Sequence, residues 1–143
     1  MPGLFERFLR AALGPLMPKA DLGEAGPQDP METRSGVHLL HGMGAEHEFF
    51  SGTVDRSSVL AAIRSVDWDN EFSQIFAVVR PGVWLEVGGS LDPEHGLSAS
   101  YVDRGKRIDS VVRTPPASVA DMEAMMLSFL ESEDALLGTY DFS

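Results

Sequence analysis

The stretch from Trp84 to Leu130 constrains the fold of this chain more than any other part. Its first half alternates apolar and polar residues around glycine-containing and acidic turns, a pattern typical of antiparallel strands. Pro115-Pro116 then ends the sheet, because proline has no N–H to donate to a strand ladder. Ser118 and Asp121 follow at the spacing of a helix start. The stretch therefore predicts β-hairpins followed by an amphipathic helix.

The neighbouring segments complete the expected order of elements. Phe49–Val54 has the composition of a strand, and Asp55 is a good N-cap for a helix with apolar residues at helical spacing. Two hairpins follow, with the strands Gln74–Arg80, Val83–Ser90, Leu97–Asp103 and Lys106–Thr114. The order β-α-β-β-β-β-α predicts an α+β fold. We expect a two-layer sandwich, in which a mainly antiparallel five-stranded sheet carries two helices on one face.

Residues 1–45 are expected to lie outside this compact domain, which spans residues 46–143. The N-terminus has the pattern of a short amphipathic helix that ends at Gly14-Pro15. Proline, glycine and charged residues are frequent over residues 14–36, as in a linker. We expect the helix to dock on the domain or on a partner, through an apolar face formed by Leu4, Phe5, Phe8, Leu9, Ala12 and Leu13.

The turns predict which strand residues face each other. A two-residue turn at Pro81-Gly82 places Val78 opposite Leu85 and Phe76 opposite Val87, all on the face that meets the helices. In the second hairpin, Tyr101 is expected opposite Ile108. Trp84 and Glu86 then point to the other, outer face of the sheet. This arrangement suits a protein interface, although the N-terminal helix or a homodimer partner would also explain an apolar outer face.

Charge restricts the class of partner. The chain has 22 acidic and 11 basic residues, a formal net charge of −11. Such a surface repels phosphate backbones, so nucleic-acid binding is not expected, whereas a cationic partner would be attracted. The chain has no cysteine, and no uncharged run approaches the length of a membrane span. We expect a soluble, cytoplasmic protein without membrane contact.

Three groups of residues are candidates for chemistry, and each has a simpler explanation. The first group consists of possible ligands for a divalent metal. Such a site would need a fixed geometry that the glycine-broken sequence after His41 does not provide. Asp67, Asp69 and Glu71 lack the glycine and distal glutamate of a calcium loop. The turn at Asp92, Glu94 and His95 is explained by its proline and glycine. We expect no metal, no cofactor and no catalytic residue, and hence no enzymatic activity. The possible metal ligands of the first group are His38, His41, Glu46, His47 and Glu48.

The order of motifs resembles a known family. The runs VDRSSVLAAI, WLEVGGS, GLSASYVD and TPPASVADMEAMMLSFL, followed by the tail GTYDF, resemble the small single-domain α+β immunity proteins of bacteria. These proteins are the antidotes of polymorphic toxins delivered by contact-dependent or type VI secretion. The resemblance covers residues from Phe49 to Phe142, and residues 1–45 have no counterpart in it.

The resemblance implies a protein that binds a cognate toxin domain and occludes its active site without catalysis. Combined with the acidity of the chain, it leads us to expect a cationic toxin as the partner. A non-catalytic regulatory or small-ligand-binding domain, possibly homodimeric, is the alternative. The expected toxin-binding residues are the acids and aromatics of the loops and the outer sheet face, namely Asp67, Trp68, Asp69, Glu71, Trp84, Glu86, Asp92 and Glu94.

Overall fold

A computed structural model of the protein describes residues 30–143. In chain order the elements are α1 (Pro30–Thr33), β1 (Gly36–His41), β2 (Glu46–Ser51), α2 (Arg56–Arg64), β3 (Ser73–Arg80), β4 (Val83–Gly89), β5 (Leu97–Asp103), β6 (Ile108–Val111), α3 (Val119–Glu131) and α4 (Glu133–Thr139). The six strands form a single antiparallel sheet with the order β2-β1-β3-β4-β5-β6. The predicted α+β class is confirmed, but the described residues contain six strands and four helices where five and two were predicted.

The additional strand is β1, which we had assigned to the linker. It lies between β2 and β3 and pairs with both, so the sheet begins at Gly36 rather than after residue 45. The glycine-broken sequence that suggested a linker is the turn of the β1–β2 hairpin. Gly42, Met43 and Gly44 all have positive φ there, a conformation that glycine adopts without strain. The predicted N-terminal helix lies outside the described residues.

The register of the β3–β4 hairpin differs from the prediction by one residue. Val78 faces Trp84 instead of Leu85, because the pairing is irregular between Val78 and Arg80 and leaves Val79 as an extra residue. A slip of one residue exchanges the faces of a strand. Phe76 and Val78 therefore lie on the outer face of the sheet with Trp84, and our assignment of both to the helix-facing core was wrong.

The β5–β6 hairpin also differs in register, but without a change of face. Tyr101 faces Ser110 rather than Ile108, since the turn between the strands spans the four residues 104–107. A shift of two residues keeps every side chain on its side of the sheet. Tyr101 is accordingly buried in the helix-facing core, as predicted, and Ile108 packs against it.

Helices α2 and α3 cover one face of the sheet, as the sequence indicated. Asp55 caps α2 by accepting a hydrogen bond of 2.8 Å from Ser58 N. Ser118 caps α3 by accepting from Asp121 N at 3.2 Å, and Asp121 accepts in turn from Ala117 N at 2.9 Å. Both caps satisfy amide groups that the first helical turn leaves without partners. The buried side chains that the helices contribute include Val59, Ala62, Ile63, Met122, Met125, Met126, Phe129 and Leu136.

The opposite, outer face of the sheet holds a second and smaller core. Trp84 lies at its centre with only 1% of its surface exposed. The Arg104 guanidinium lies 5.1 Å from the centre of the Trp84 ring and also pairs with Glu32 of α1 at 2.7 Å. The sheet is thus buried on both sides. The members of this outer core are Met31, Phe76, Val78, Trp84 and Val102, with Leu40 partly buried against them.

Candidate protein-binding surface

Charge is distributed unevenly between the two ends of the sheet. The β1–β2 turn, the α2–β3 loop and the β4–β5 loop meet at one end, because His41 at the end of β1 pairs with the first residues of β2 and β3, and Gly89 at the end of β4 pairs with the first residues of β3 and β5. We call the segments 41–48, 65–73 and 90–97 the acidic end. They contain no lysine or arginine and seven acidic residues, namely Glu46, Glu48, Asp67, Asp69, Glu71, Asp92 and Glu94.

His41 joins two of these segments. Its Nε2 lies 3.1 Å from Glu48 Oε1, and its Nδ1 lies 3.5 Å from Glu71 Oε2. Ser73 Oγ donates a further hydrogen bond of 3.4 Å to the same glutamate oxygen. The contact fixes the orientation of two carboxylates at the surface.

The buried side chain of Trp68 holds the α2–β3 loop against helix α2. Its indole Nε1 donates a hydrogen bond of 2.9 Å to Ile63 O, and 4% of the residue is exposed. The Trp68 carbonyl accepts from Leu91 N at 2.8 Å and so links this loop to the β4–β5 loop. Asp67 and Asp69, on either side, are exposed. Trp68 therefore positions the acids and does not present its own side chain to a partner, contrary to our expectation.

The β4–β5 loop is built around its own hydrogen bonds. Asp92 Oδ1 accepts from Glu94 N at 2.9 Å, and the Asp92 carbonyl accepts from the amides of His95 and Gly96. Ser90 Oγ and His95 Nδ1 lie 2.9 Å apart, the spacing of a nucleophile and its base. However, Ser90 is 3% exposed, and its Oγ also accepts from Asp92 N. Both side chains therefore take part in the hydrogen bonds of the turn.

Six of the eight expected toxin-binding residues lie at the acidic end, and five of them are acids, since the sixth is the buried Trp68. Trp84 and Glu86 do not, because both side chains point into the outer core, where 1% and 0% of their surface is exposed. The expectation that they form an open surface was therefore wrong, for the reason that the outer face is covered. The residues brought together are Asp67, Asp69, Glu71, Asp92 and Glu94.

Sequence reasoning missed the contribution of the β1–β2 hairpin to this surface. Glu46 and Glu48 lie on the edge strand β2 and are exposed. The available signal was the alternation of charged and ring-bearing residues in EHEFF, which fits an edge strand whose acids discourage pairing with other chains. We had placed the start of that strand at Phe49.

The three histidines considered as metal ligands do not come together at one point, because His38 contacts His47 whereas His41 contacts Glu48 and Glu71. His38 and His41 are three residues apart on β1, so they point to opposite faces of the sheet. His38 Nδ1 lies 2.9 Å from His47 Nε2, and its Nε2 lies 2.9 Å from Arg34 O. Within residues 30–143 there is no group of three or more potential ligand side chains arranged to hold a metal ion.

The other end of the sheet is richer in bases, which include Arg80, Arg104 and Lys106. Lys106 Nζ pairs with Glu133 at 3.1 Å. Burial raises the pKa of Tyr101, and the nearby Glu133 carboxylate raises it further. The pKa of Glu133 is lowered, first by the Tyr101 hydroxyl and then by Lys106. No hydrogen bond of ordinary length joins Tyr101 Oη to this carboxylate, so the two interact over a longer distance.

The lowered pKa of Glu133 predicts a pH-dependent contribution to stability. Glu133→Gln should reduce the free energy of unfolding at pH 7 by about 1 kcal/mol or less, since this ion pair is partly exposed. The folded pKa lies below the ordinary value of 4.5, so the stabilisation is present above that pH and is lost as the pH falls through the folded pKa. Urea unfolding at several pH values, with Glu131→Gln as the matched control, measures this. A difference between wild type and Glu133→Gln that stays constant down to acidic pH would contradict it.

Comparisons with protein-family models, with curated proteins and with solved structures found no match to the chain. In the part of the chain that the structure describes, none of the helices has the length and apolar character needed to cross a membrane. The acidic end therefore has to be interpreted from its own geometry.

Proposed function

We propose that this protein is a non-catalytic immunity protein that binds a cationic toxin domain through its acidic end and blocks the active site of that domain. The observation that carries the proposal is the concentration of seven carboxylates, without a lysine or arginine, on three connected segments at one end of the sheet. The protein would act in the cytoplasm, where it would meet a toxin delivered into the cell.

Electrostatics supports a protein partner of opposite charge. A surface that carries carboxylates and no cationic side chains accelerates the encounter with a cationic partner and fixes the orientation of that partner. Carboxylates are also the acceptors that lysine and arginine side chains prefer, particularly in paired hydrogen bonds with arginine. The positively charged groove of an enzyme that acts on nucleic acid is a surface of this kind. Occupation of such a groove by the acidic end would exclude the substrate.

The rigidity of the acidic end favours binding over catalysis. Trp68, Asp92 and the Ser90–His95 pair are used in contacts that hold the loops in place. Loops that are ordered before binding lose little conformational entropy when the complex forms, which favours affinity.

An apolar contact at the same end replaces the anchor that we had expected at Trp84. Leu91 follows β4 in the β4–β5 loop and is 40% exposed, next to Asp92. Most of the affinity of a protein interface comes from a few desolvated side chains surrounded by polar groups. Leu91 precedes Asp92, and its amide bonds to the carbonyl of Trp68, the residue between Asp67 and Asp69. We therefore place Leu91 at the centre of the proposed contact.

Charge reversal at the acidic end tests the proposal. Asp69→Lys combined with Glu94→Lys is expected to slow association with the protein encoded by the adjacent gene by about tenfold at low salt, because the steering field is weakened. Both residues are exposed. Stopped-flow or biolayer measurements over a range of salt concentrations should show a flatter salt dependence for the variant. Protection of cells that express the neighbouring gene should decrease in parallel.

The matched control changes the net charge equally at a distant place. Glu131→Lys combined with Asp134→Lys adds the same charge near α3 and α4, and both residues are exposed. At an ionic strength of about 0.15 M, where the Debye length is about 8 Å, this control should leave association within about twofold of wild type, because Glu133 between the two residues pairs with Lys106 of the β5–β6 turn, at the other end of the sheet. An equal decrease of the association rate in both double variants would show that net charge alone causes the effect. That result would contradict a specific binding site. Unchanged association in the first variant would exclude the acidic end as the binding surface.

A further inference from the structure

The two edges of the sheet differ in how far the chain covers them. At the β6 edge, residues 141–143 pair with residues 111–113 through backbone hydrogen bonds of 2.7 to 3.3 Å. At the other edge, among residues 30–143, β2 pairs with β1 only. The first three residues of β2 are exposed. The chain therefore covers part of one edge with its own backbone, whereas β2 faces solvent.

An edge strand can accept a further strand through its backbone. In an antiparallel pair, every second residue of β2 exchanges hydrogen bonds with β1, and the N–H and C=O groups of the residues between them point away from the sheet. The pairing with β1 is regular over residues 46–49 and is interrupted at Phe50, which has no partner on β1. The regular stretch is long enough to pair with an extended segment of about four residues.

Contacts with β1 hold the side chains of this edge in place. His38 Nδ1 lies 2.9 Å from His47 Nε2. His41 Nε2 lies 3.1 Å from Glu48 Oε1. The two contacts lie on opposite sides of the sheet, because successive residues of a strand point to opposite faces. An edge that is ordered before binding loses little conformational entropy when a partner segment pairs with it.

The acids of β2 select the charge of such a segment. Glu46 and Glu48 are two residues apart and therefore lie on the same side of the sheet. A segment paired with β2 would bring its own side chains next to these glutamates, with Cβ atoms about 5 Å apart. Lysine or arginine at two alternate positions would then pair with both carboxylates. A second copy of β2 would instead place glutamate beside glutamate, which is unfavourable.

We infer that β2 binds an extended segment of the protein partner as an additional strand, and that this segment carries lysine or arginine at two alternate positions beside Glu46 and Glu48. The inference rests on the proposed function for the cationic character of the partner, and it adds the way in which the partner is recognised. Backbone hydrogen bonds to β2 provide affinity, and the two glutamates select the sequence of the segment.

A synthetic peptide that alternates lysine with valine tests the pairing with the full-length protein. In an extended peptide the lysine amides point to one edge and the valine amides to the other. One version is N-methylated at the lysines and a second version at the valines. The affinities of the two versions should differ by at least about tenfold, because only one set of amides donates to β2. Fluorescence anisotropy of labelled peptides measures this, and equal affinities would overturn the inference.

Neutral substitutions test the selection of charge. Glu46→Gln combined with Glu48→Gln keeps the size of both side chains and should weaken binding of the unmethylated peptide by about fivefold at low salt, as expected for two exposed ion pairs. The matched control, Glu131→Gln combined with Asp134→Asn, removes the same charge at exposed positions outside the acidic end. It should leave the affinity within about twofold of wild type. Equal weakening in both double variants would overturn the selection by β2.

Hydrogen exchange followed by NMR separates this inference from the proposed function. In the complex with the protein encoded by the adjacent gene, alternate amides of residues 46–49 should gain at least about tenfold protection, whereas the amides between them already donate to β1. Binding of that protein without this protection would overturn the inference and leave the proposed function standing. If that protein does not bind but the peptide does, the proposed function is contradicted and the pairing at β2 is supported. Protection in the free protein that increases with its concentration would assign the edge to a second copy and overturn the inference.

Discussion

Trp84→Ala is expected to lower the free energy of unfolding by about 3–5 kcal/mol, the usual range for truncating a large aromatic side chain in a core. Trp84 is 1% exposed, packs edge-to-face against Phe76 with ring centroids 6.4 Å apart, and lies below the Arg104 guanidinium. Its loss would leave a cavity between the sheet and the side chains of Met31 and Arg104, which pack on the same face. An anchor on an open surface would instead weaken only the binding of a partner.

Urea or thermal unfolding followed by circular dichroism measures this effect. Val79→Ala is the matched control on the neighbouring strand, because Val79 is the extra residue of the β3–β4 irregularity and is 38% exposed. Surface truncations of this kind usually change stability by about 0.5 kcal/mol or less. A Trp84→Ala protein as stable as Val79→Ala would show that the outer face is open in solution. The original assignment of Trp84 to a free surface would then be correct.

The error in the faces assigned to Phe76 and Val78 has a local physical cause. Alternation along β3 and β4 was recognised, and the turn at Pro81-Gly82 was placed where the structure has it. The sequence VVRPG contains no glycine at the irregularity itself, so nothing distinguishes a regular hairpin from one with an extra residue at Val79. Because both faces of β4 are buried, apolar residues on either side give no indication of the register.

Helices were predicted more successfully than strands because their signals are local. Asp55 and Ser118 cap α2 and α3, and the apolar stripe from Met122 to Phe129 is buried, as their spacing indicated. Strand β1 was missed, since its apolar content is only a few residues and it is followed by a turn of glycines. Its place between β2 and β3 depends on pairing between distant segments, which a single sequence does not reveal.

The candidate surface was predicted in part for a related reason. Acids in loops stay at the surface whatever the register of the strands, so Asp69 and Glu94 were assigned correctly to an exposed region. Their meeting at one end follows from strand order, and the addition of Glu48 from β2 required the missed hairpin. The sequence does not show whether a tryptophan is buried in a core or exposed at an interface, because its large apolar area is used in both.

Leu85→Ala is expected to lower the free energy of unfolding by about 2–5 kcal/mol, which is the range for Leu→Ala in rigid cores. Leu85 is fully buried in the helix-facing core, opposite Ala77 on β3 and Tyr101 on β5. The neighbouring strands hold the position open, so the cavity cannot close by local collapse. Leu137→Ala makes the same substitution at a residue that is 41% exposed and should have a much smaller effect.

Combining the two core substitutions tests the two-sided burial of β4 directly. Trp84 and Leu85 are adjacent in sequence but point into different cores on opposite sides of the sheet. Because their side chains pack into different cores, the coupling between them should be smaller than the coupling between two residues of one core. Phe76→Ala with Trp84→Ala, in contrast, should deviate from additivity because these rings are in contact. Strong coupling between Trp84 and Leu85 would show that the two cavities are connected. That result would contradict two separate cores on opposite sides of the sheet.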